Sequence, residues 1–240
     1  MIAPEVIIYA LLGGLIPTLL WLWFWLKEDR CHPEPTVLIL ISFLAGMIAV
    51  PLVIPLERAV ATVASGTLMV VLWAMIEEAM KFLAAYIAVL RHKEMDEPVD
   101  AVIYMITVAL GFAALENALF LLSPLGDGLI AETLLTGNLR FLGATLLHTL
   151  ASATIGIFIA MAFYRGHVWR DISAALGLIL ATALHALFNF SIISQSGKSE
   201  GILSAFLAIW IGIIVLILLF EKIKRIPRPL PFRITKLEQQ

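Results

Sequence analysis

The chain has 240 residues, of which 61% are apolar and only 14% charged, and its sixteen Lys and Arg against eighteen Asp and Glu leave a net charge of −2. Soluble domains average about 45–50% apolar and about 25% charged. The composition therefore excludes a soluble enzyme, a disordered chain and a nucleic-acid binder. The single cysteine, Cys31, can form neither an internal disulfide nor a cysteine-based metal site, and reads as a free thiol near a membrane face.

A helix that crosses a bilayer needs about 20 mostly apolar residues, and seven stretches qualify. The first, 6–26, is followed by Lys27-Glu28-Asp29-Arg30. No basic residue precedes Lys27 and no small-residue cleavage site follows, so it reads as an anchor rather than a cleaved signal peptide. The second, 36–56, is interrupted at its outer end by Pro51 and Pro55, ahead of a break at Glu57-Arg58. The third and fourth, 65–90 and 99–123, are joined through Arg91 to Asp100. Pro124 to Gly137 lead to the fifth, 138–164, with a short interfacial helix expected over 129–137. Arg165 to Asp171 precede the sixth, 171–194, and Ser196 to Gly201 precede the seventh, 201–220. There is no internal repeat.

Charge orients these spans. Twelve of the sixteen Lys and Arg fall on one side, among them Lys27, Arg91, Arg165 and the tail from Lys222 to Lys236. Arg58, Arg140 and Lys198 fall on the other, and Lys81 lies within a span. Basic residues favour the cytoplasmic side, so the N-terminus is expected outside and the C-terminus in the cytoplasm. Trp21, Trp23 and Trp25 would then form a cytoplasmic aromatic belt, and the basic tail would lie against anionic lipid.

Six ionisable residues fall well inside the spans: Glu77, Glu78, Lys81, Glu116, His148 and His185. Each charge in hydrocarbon costs about 2.5–3.5 kcal/mol on insertion scales, and such residues normally face the bundle interior and serve function. Counted from the outer helix ends at 1.5 Å per residue, four helices bring them to one layer roughly 10–18 Å deep. Lys81 lies four residues after Glu77 and three after Glu78, so it can offset either carboxylate. His185 and Asn189 are also four apart and can share one face. Glu116 and Asn117 diverge by about 100°, so only one of them can face a cavity squarely.

Desolvation favours the protonated form of a carboxyl, which makes a buried glutamate a suitable general base near neutral pH. Histidines can orient a water, stabilise an oxyanion or bind a metal, and an Asn amide can donate to an oxyanion. Together these are the parts of a hydrolase that activates water. The same groups can also be structural, since a Glu–Lys pair or a lone histidine can do no more than join two helices. There is no H-E-x-x-H sequence, as a zincin would require. Gly126-Asp127-Gly128 lacks the preceding glycine of an intramembrane aspartyl site, and neither Ser65-Gly66 nor Ser152 has the G-x-S setting of a rhomboid nucleophile.

Four segments in order carry a resemblance. Glu77-Glu78-Ala79-Met80-Lys81-Phe82 resembles the E-E-x-x-K-F motif of the PrsW family of intramembrane proteases, and Gly111-Phe112-Ala113-Ala114-Leu115-Glu116-Asn117 its G-F-A-x-x-E-N motif. His148 matches that family's third position, and His185-Ala186-Leu187-Phe188-Asn189 its H-x-x-x-N motif. The resemblance runs from about Met75 to Asn189. The family is distantly similar to the CAAX prenyl-protease and bacteriocin-immunity superfamily. That superfamily usually has E-E-x-x-x-R where this chain has Lys81, which argues against a prenylated substrate. It also has Phe four residues before the histidine, where this chain has Ala144.

The resemblance implies an all-α, polytopic plasma-membrane endopeptidase cutting a single-span membrane protein in the outer half of the bilayer, as the family's anti-sigma-factor proteases do. One transmembrane domain would cover 1–221, with its catalytic core over about 65–194, and 222–240 would form a basic cytoplasmic tail. Glu77 would activate water with help from His148, His185 and Asn189 would stabilise the oxyanion, and Glu78 and Lys81 would tune Glu77. Glu116 and Asn117 would support the site. The better-understood relatives favour a metal-free mechanism. The alternative is Zn held by His148, His185 and Glu77 or Glu116. Two other readings use the same residues: a proton- or cation-coupled carrier, whose fold would be expected to show inverted repeats, and an inactive scaffold.

Overall fold

A computed structural model describes residues 3–28, 33–194 and 199–227. Cys31, the first half of the Ser196 to Gly201 link and most of the basic tail lie outside the described residues. The described residues form eight α-helices: α1 (Pro4–Glu28), α2 (Thr36–Val63), α3 (Gly66–Ala85), α4 (Pro98–Gly126), α5 (Ile130–Leu139), α6 (Thr145–Met161), α7 (His167–Ser194) and α8 (Ser199–Ile223). A π-helical turn over Tyr86–Leu90 extends α3, and another over Arg140–Ala144 joins α5 to α6. No strand occurs among the described residues.

Six of these rods are long and apolar enough to cross a membrane: α1, α2, α4, α5 continued through α6, α7 and α8. Helix α3, with 20 residues, falls short through charge, because it carries Glu77, Glu78 and Lys81. All three are buried, so they face the protein interior rather than lipid. The protein is a multi-pass membrane protein built as an all-α bundle.

Two boundaries differ from those expected. Helix α2 runs through both prolines to Val63, and Glu57-Arg58 is helical rather than a turn. A proline interrupts one backbone hydrogen bond. Pro51 and Pro55 are four residues apart and both are exposed, so both interruptions fall on one outward stripe and the inner face stays regular. The expected interfacial helix exists as α5, but it is not separate. It continues into α6 as one rod of 32 residues, through a turn in which the Thr145 N–H bonds to the Arg140 carbonyl.

Helix α4 is the axis of the bundle, and every residue from Pro98 to Ala114 is buried. A helix that is apolar on all faces belongs in a core, and α1, α2 and α6 pack around this one. The approach of α2 to α4 depends on glycine. A Cβ on Gly46 would lie 2.0 Å from the Val108 carbonyl oxygen, and one on Gly111 would lie 1.9 Å from that of Phe43. Small residues allow this backbone contact between membrane helices.

The tryptophan belt is corrected as well. Trp25 is buried against Phe24 and Phe220, and Trp21 packs on Phe141 and Trp210. Only Trp23 faces outward, with Lys27 Nζ 3.6 Å from its ring centroid. Residues two apart on a helix point nearly opposite ways, whereas those four apart share a face.

Candidate active site

Helix α3 supplies the centre of the polar cluster. Lys81 Nζ lies 3.2 Å from Glu77 Oε2 and 2.8 Å from Glu78 Oε1, the contacts that their spacing permits. Two further helices close on this ion pair. From α6, His148 Nδ1 is 2.7 Å from Lys81 Nζ, and Ser152 Oγ donates to Glu78 Oε2 at 2.8 Å. From α7, His185 Nδ1 is 2.8 Å from Glu78 Oε1. Glu78 is fully enclosed and accepts three hydrogen bonds, which is what keeps a buried carboxylate tolerable.

Donor accounting assigns the histidine protons. An ammonium has no lone pair, so His148 Nδ1 accepts from Lys81. Its Nε2–H then donates to Glu116 Oε2 at 3.0 Å. The His185 Nδ1–H donates to Glu78, which leaves Nε2 facing Glu77 Oε2 at 3.9 Å. The two imidazoles meet edge to face, with centroids 5.1 Å apart.

Glu116 has a second partner, from the outer end of the expected fifth span. Arg140, the first residue of the second π turn, donates through Nη2 to Glu116 and through Nε to Asn117 Oδ1 at 2.6 Å. Asn117 Nδ2 in turn donates to Thr145 Oγ1 at 3.0 Å. Glu116 and Asn117 thus engage one arginine from adjacent positions, and the turn that joins α5 to α6 is tied to α4.

A cavity of about 610 Å³ opens onto this cluster. Glu77, Glu116, His148, His185 and Asn189 line it, whereas Glu78, Lys81 and Asn117 stand behind its wall. Glu57 and Arg140, which the sequence reading passed over, line it too. Glu57 thus shares the cavity wall with Glu77. A signal for Glu57 exists: Val50, Val53, Ile54 and Glu57 all line the cavity, at the i, i+3, i+4, i+7 spacing of one helical stripe. Reading the prolines as a break hid it. For Arg140 and Ser152 no comparable pattern is present.

Glu77, His148 and His185 bring potential ligand atoms within 4.8 Å of one another, and two histidines with one glutamate are a known catalytic zinc set. Glu116, the other carboxylate considered for that role, is held instead by Arg140 and His148. The donor types fit a metal, but one lone pair does not: His148 Nδ1 has a single lone pair, and it faces Lys81 Nζ.

A carboxylate, two histidines and an amide facing one cavity inside a membrane bundle are the parts of an intramembrane hydrolase. The family model described as PrsW family intramembrane metalloprotease matches residues 34–219. The chain belongs to the PrsW family and is an intramembrane protease. It is similar to the Protease PrsW of Geobacillus kaustophilus, 28% identical over 209 residues that cover 82% of this chain and 86% of the relative. The Protease PrsW of Bacillus subtilis is 24% identical over 202 residues, covering 82% and 89%. That of Clostridioides difficile is 26% identical over 186 residues, covering 74% and 76%. No solved structure matches the chain.

Proposed function

We propose that the protein hydrolyses a peptide bond in a single-span membrane protein, close to the outer face of the plasma membrane, by a Glu77-activated water. The observation that carries this reading is the pair Glu77 and His185 on the cavity wall. Their 3.9 Å separation is too long for a hydrogen bond and leaves room for a water that touches both.

Glu77 takes a proton from the water as its oxygen attacks the substrate carbonyl carbon. Negative charge then develops on the carbonyl oxygen. His185, oriented by the Glu78 carboxylate at its Nδ1–H, stabilises that oxygen together with Asn189, which one turn further donates its amide. Preorganised donors of this kind are commonly the largest single contribution to catalysis. The intermediate collapses as Glu77 returns its proton to the leaving amine. His148, with both nitrogens engaged, positions the site rather than handling the water. The outer-face location and an anti-sigma-factor-like substrate come from the family resemblance and the distribution of basic residues.

The test is cleavage of a single-span membrane substrate by the full chain in lipid vesicles. Glu77→Gln and His185→Ala should each lower the rate by about 10²–10⁴-fold, the range supplied by general acid–base groups, with membrane insertion unchanged. Cleavage at the unaltered rate by either variant would overturn the assignment.

A further inference from the structure

Lys81 has no accessible surface, and nothing in the mechanism requires it to touch substrate. An ammonium carries three N–H donors. Each has an acceptor here: Glu77 Oε2 at 3.2 Å, Glu78 Oε1 at 2.8 Å and His148 Nδ1 at 2.7 Å. The Phe112 ring lies on another side, with its centroid 4.3 Å from Nζ. The lysine is thus coordinated much as a small cation would be.

Two of these three acceptor atoms belong to residues of the potential metal triangle. A zinc ion must stand about 2.0–2.2 Å from each nitrogen and oxygen ligand and needs their lone pairs. The His148 Nδ1 lone pair points at Lys81. The other nitrogen, Nε2, is a donor to Glu116 and has no lone pair to give. A divalent ion at this position would also lie against the ammonium. His185 differs, because its Nδ1–H rests on Glu78 while Nε2 is free, which is the usual setting of a metal-binding histidine. Of the three, His185 is arranged as a ligand, His148 has no lone pair left for one, and Glu77 shares an oxygen with the lysine.

We propose that Lys81 is the resident cation of this site: its ammonium holds Glu77 and His148 in the place a metal ion would take, and removing it turns Glu77, His148 and His185 into a zinc site. The proposal concerns the same residues as the protease reading but does not depend on the substrate.

The experiment reads metal, not proteolysis. The full chain in detergent is dialysed against Zn²⁺, then against metal-free buffer, and its zinc content is measured. Wild type and His148→Gln should retain equally little. Lys81→Met and Lys81→Gln should bind zinc about 10- to 100-fold more tightly than wild type, the scale on which groups around a ligand alter affinity, and should lose that gain when His185→Ala is added. Co²⁺ in place of Zn²⁺ should give a tetrahedral absorption spectrum only in the lysine variants. Wild type that retains about one ion per chain, and loses it with His148→Gln, would overturn the proposal, even if neither lysine variant folds. Folded lysine variants that gain no zinc would overturn it as well. Either failure leaves the protease reading intact, because that reading is decided by cleavage with Glu77→Gln.

Discussion

Glu78 shows how one buried carboxylate is kept in place. Its two oxygens accept from Lys81, His185 and Ser152, on three different helices. Replacing Ser152 with alanine removes one donor and leaves an oxygen unpaired where no water reaches, so Ser152→Ala should cost about 1–3 kcal/mol. Glu78→Gln should cost more, about 3–5 kcal/mol, because it leaves the Lys81 charge without its nearest partner. Thermal unfolding in detergent would check both, and equal losses would argue against this ranking. Glu77, Glu78, Lys81, His148 and His185 stand out in the sequence because ionisable groups are costly in an apolar run. Arg140, Glu57 and Ser152 do not. The first two lie at the ends of the spans expected from sequence, where charge is ordinary. A membrane-helix hydroxyl usually bonds its own backbone, as Thr149 and Thr154 do here.

Among the elements, α2 and α4 depend most on close approach. Because Gly111 meets the Phe43 carbonyl and Gly46 meets that of Val108, a larger side chain at either position has backbone in its way. Gly111→Leu should therefore push α2 from α4 and reduce the folded fraction. Overpacking typically costs about 1–3 kcal/mol where side chains can adjust, and backbone cannot adjust so readily. The folded-protein peak in size-exclusion chromatography would report it, and an unchanged peak with unchanged melting would refute the packing argument. The existence of the spans follows from apolar length alone, but their arrangement does not. Lipid-facing and core-facing positions are both apolar, so the sequence carries little of the one-sided pattern that marks a soluble helix. The central place of α4 was hidden for that reason. The continuity of α2 was hidden for another: proline is a strong breaker in water, but in lipid an open helix end leaves backbone groups unpaired, and the helix is kept.

For the whole molecule, the asymmetry of basic residues is the information available about orientation. With α3 taken as a seventh crossing, and with twelve Lys and Arg on one side and three on the other, the positive-inside tendency predicts the N-terminus outside and the end of α8 in the cytoplasm. A reporter fused after Ile223 should be active only in the cytoplasm, and one fused ahead of Pro4 only outside. The reverse pattern would invert the site and move the expected cut to the inner half of the bilayer.

The cavity wall has one further consequence. Glu57 and Glu77 come from α2 and α3, whereas Glu116, His148, His185 and Asn189 come from α4, α6 and α7. The turn between Arg91 and Glu97 divides these two sets. Membrane helices can be stable singly before they associate. A chain severed at this turn would thus be two inert membrane proteins, one holding the proposed base and the other the proposed oxyanion donors. Hydrolysis would appear only where both halves meet in the same bilayer, which makes the connecting turn the natural seam of the enzyme.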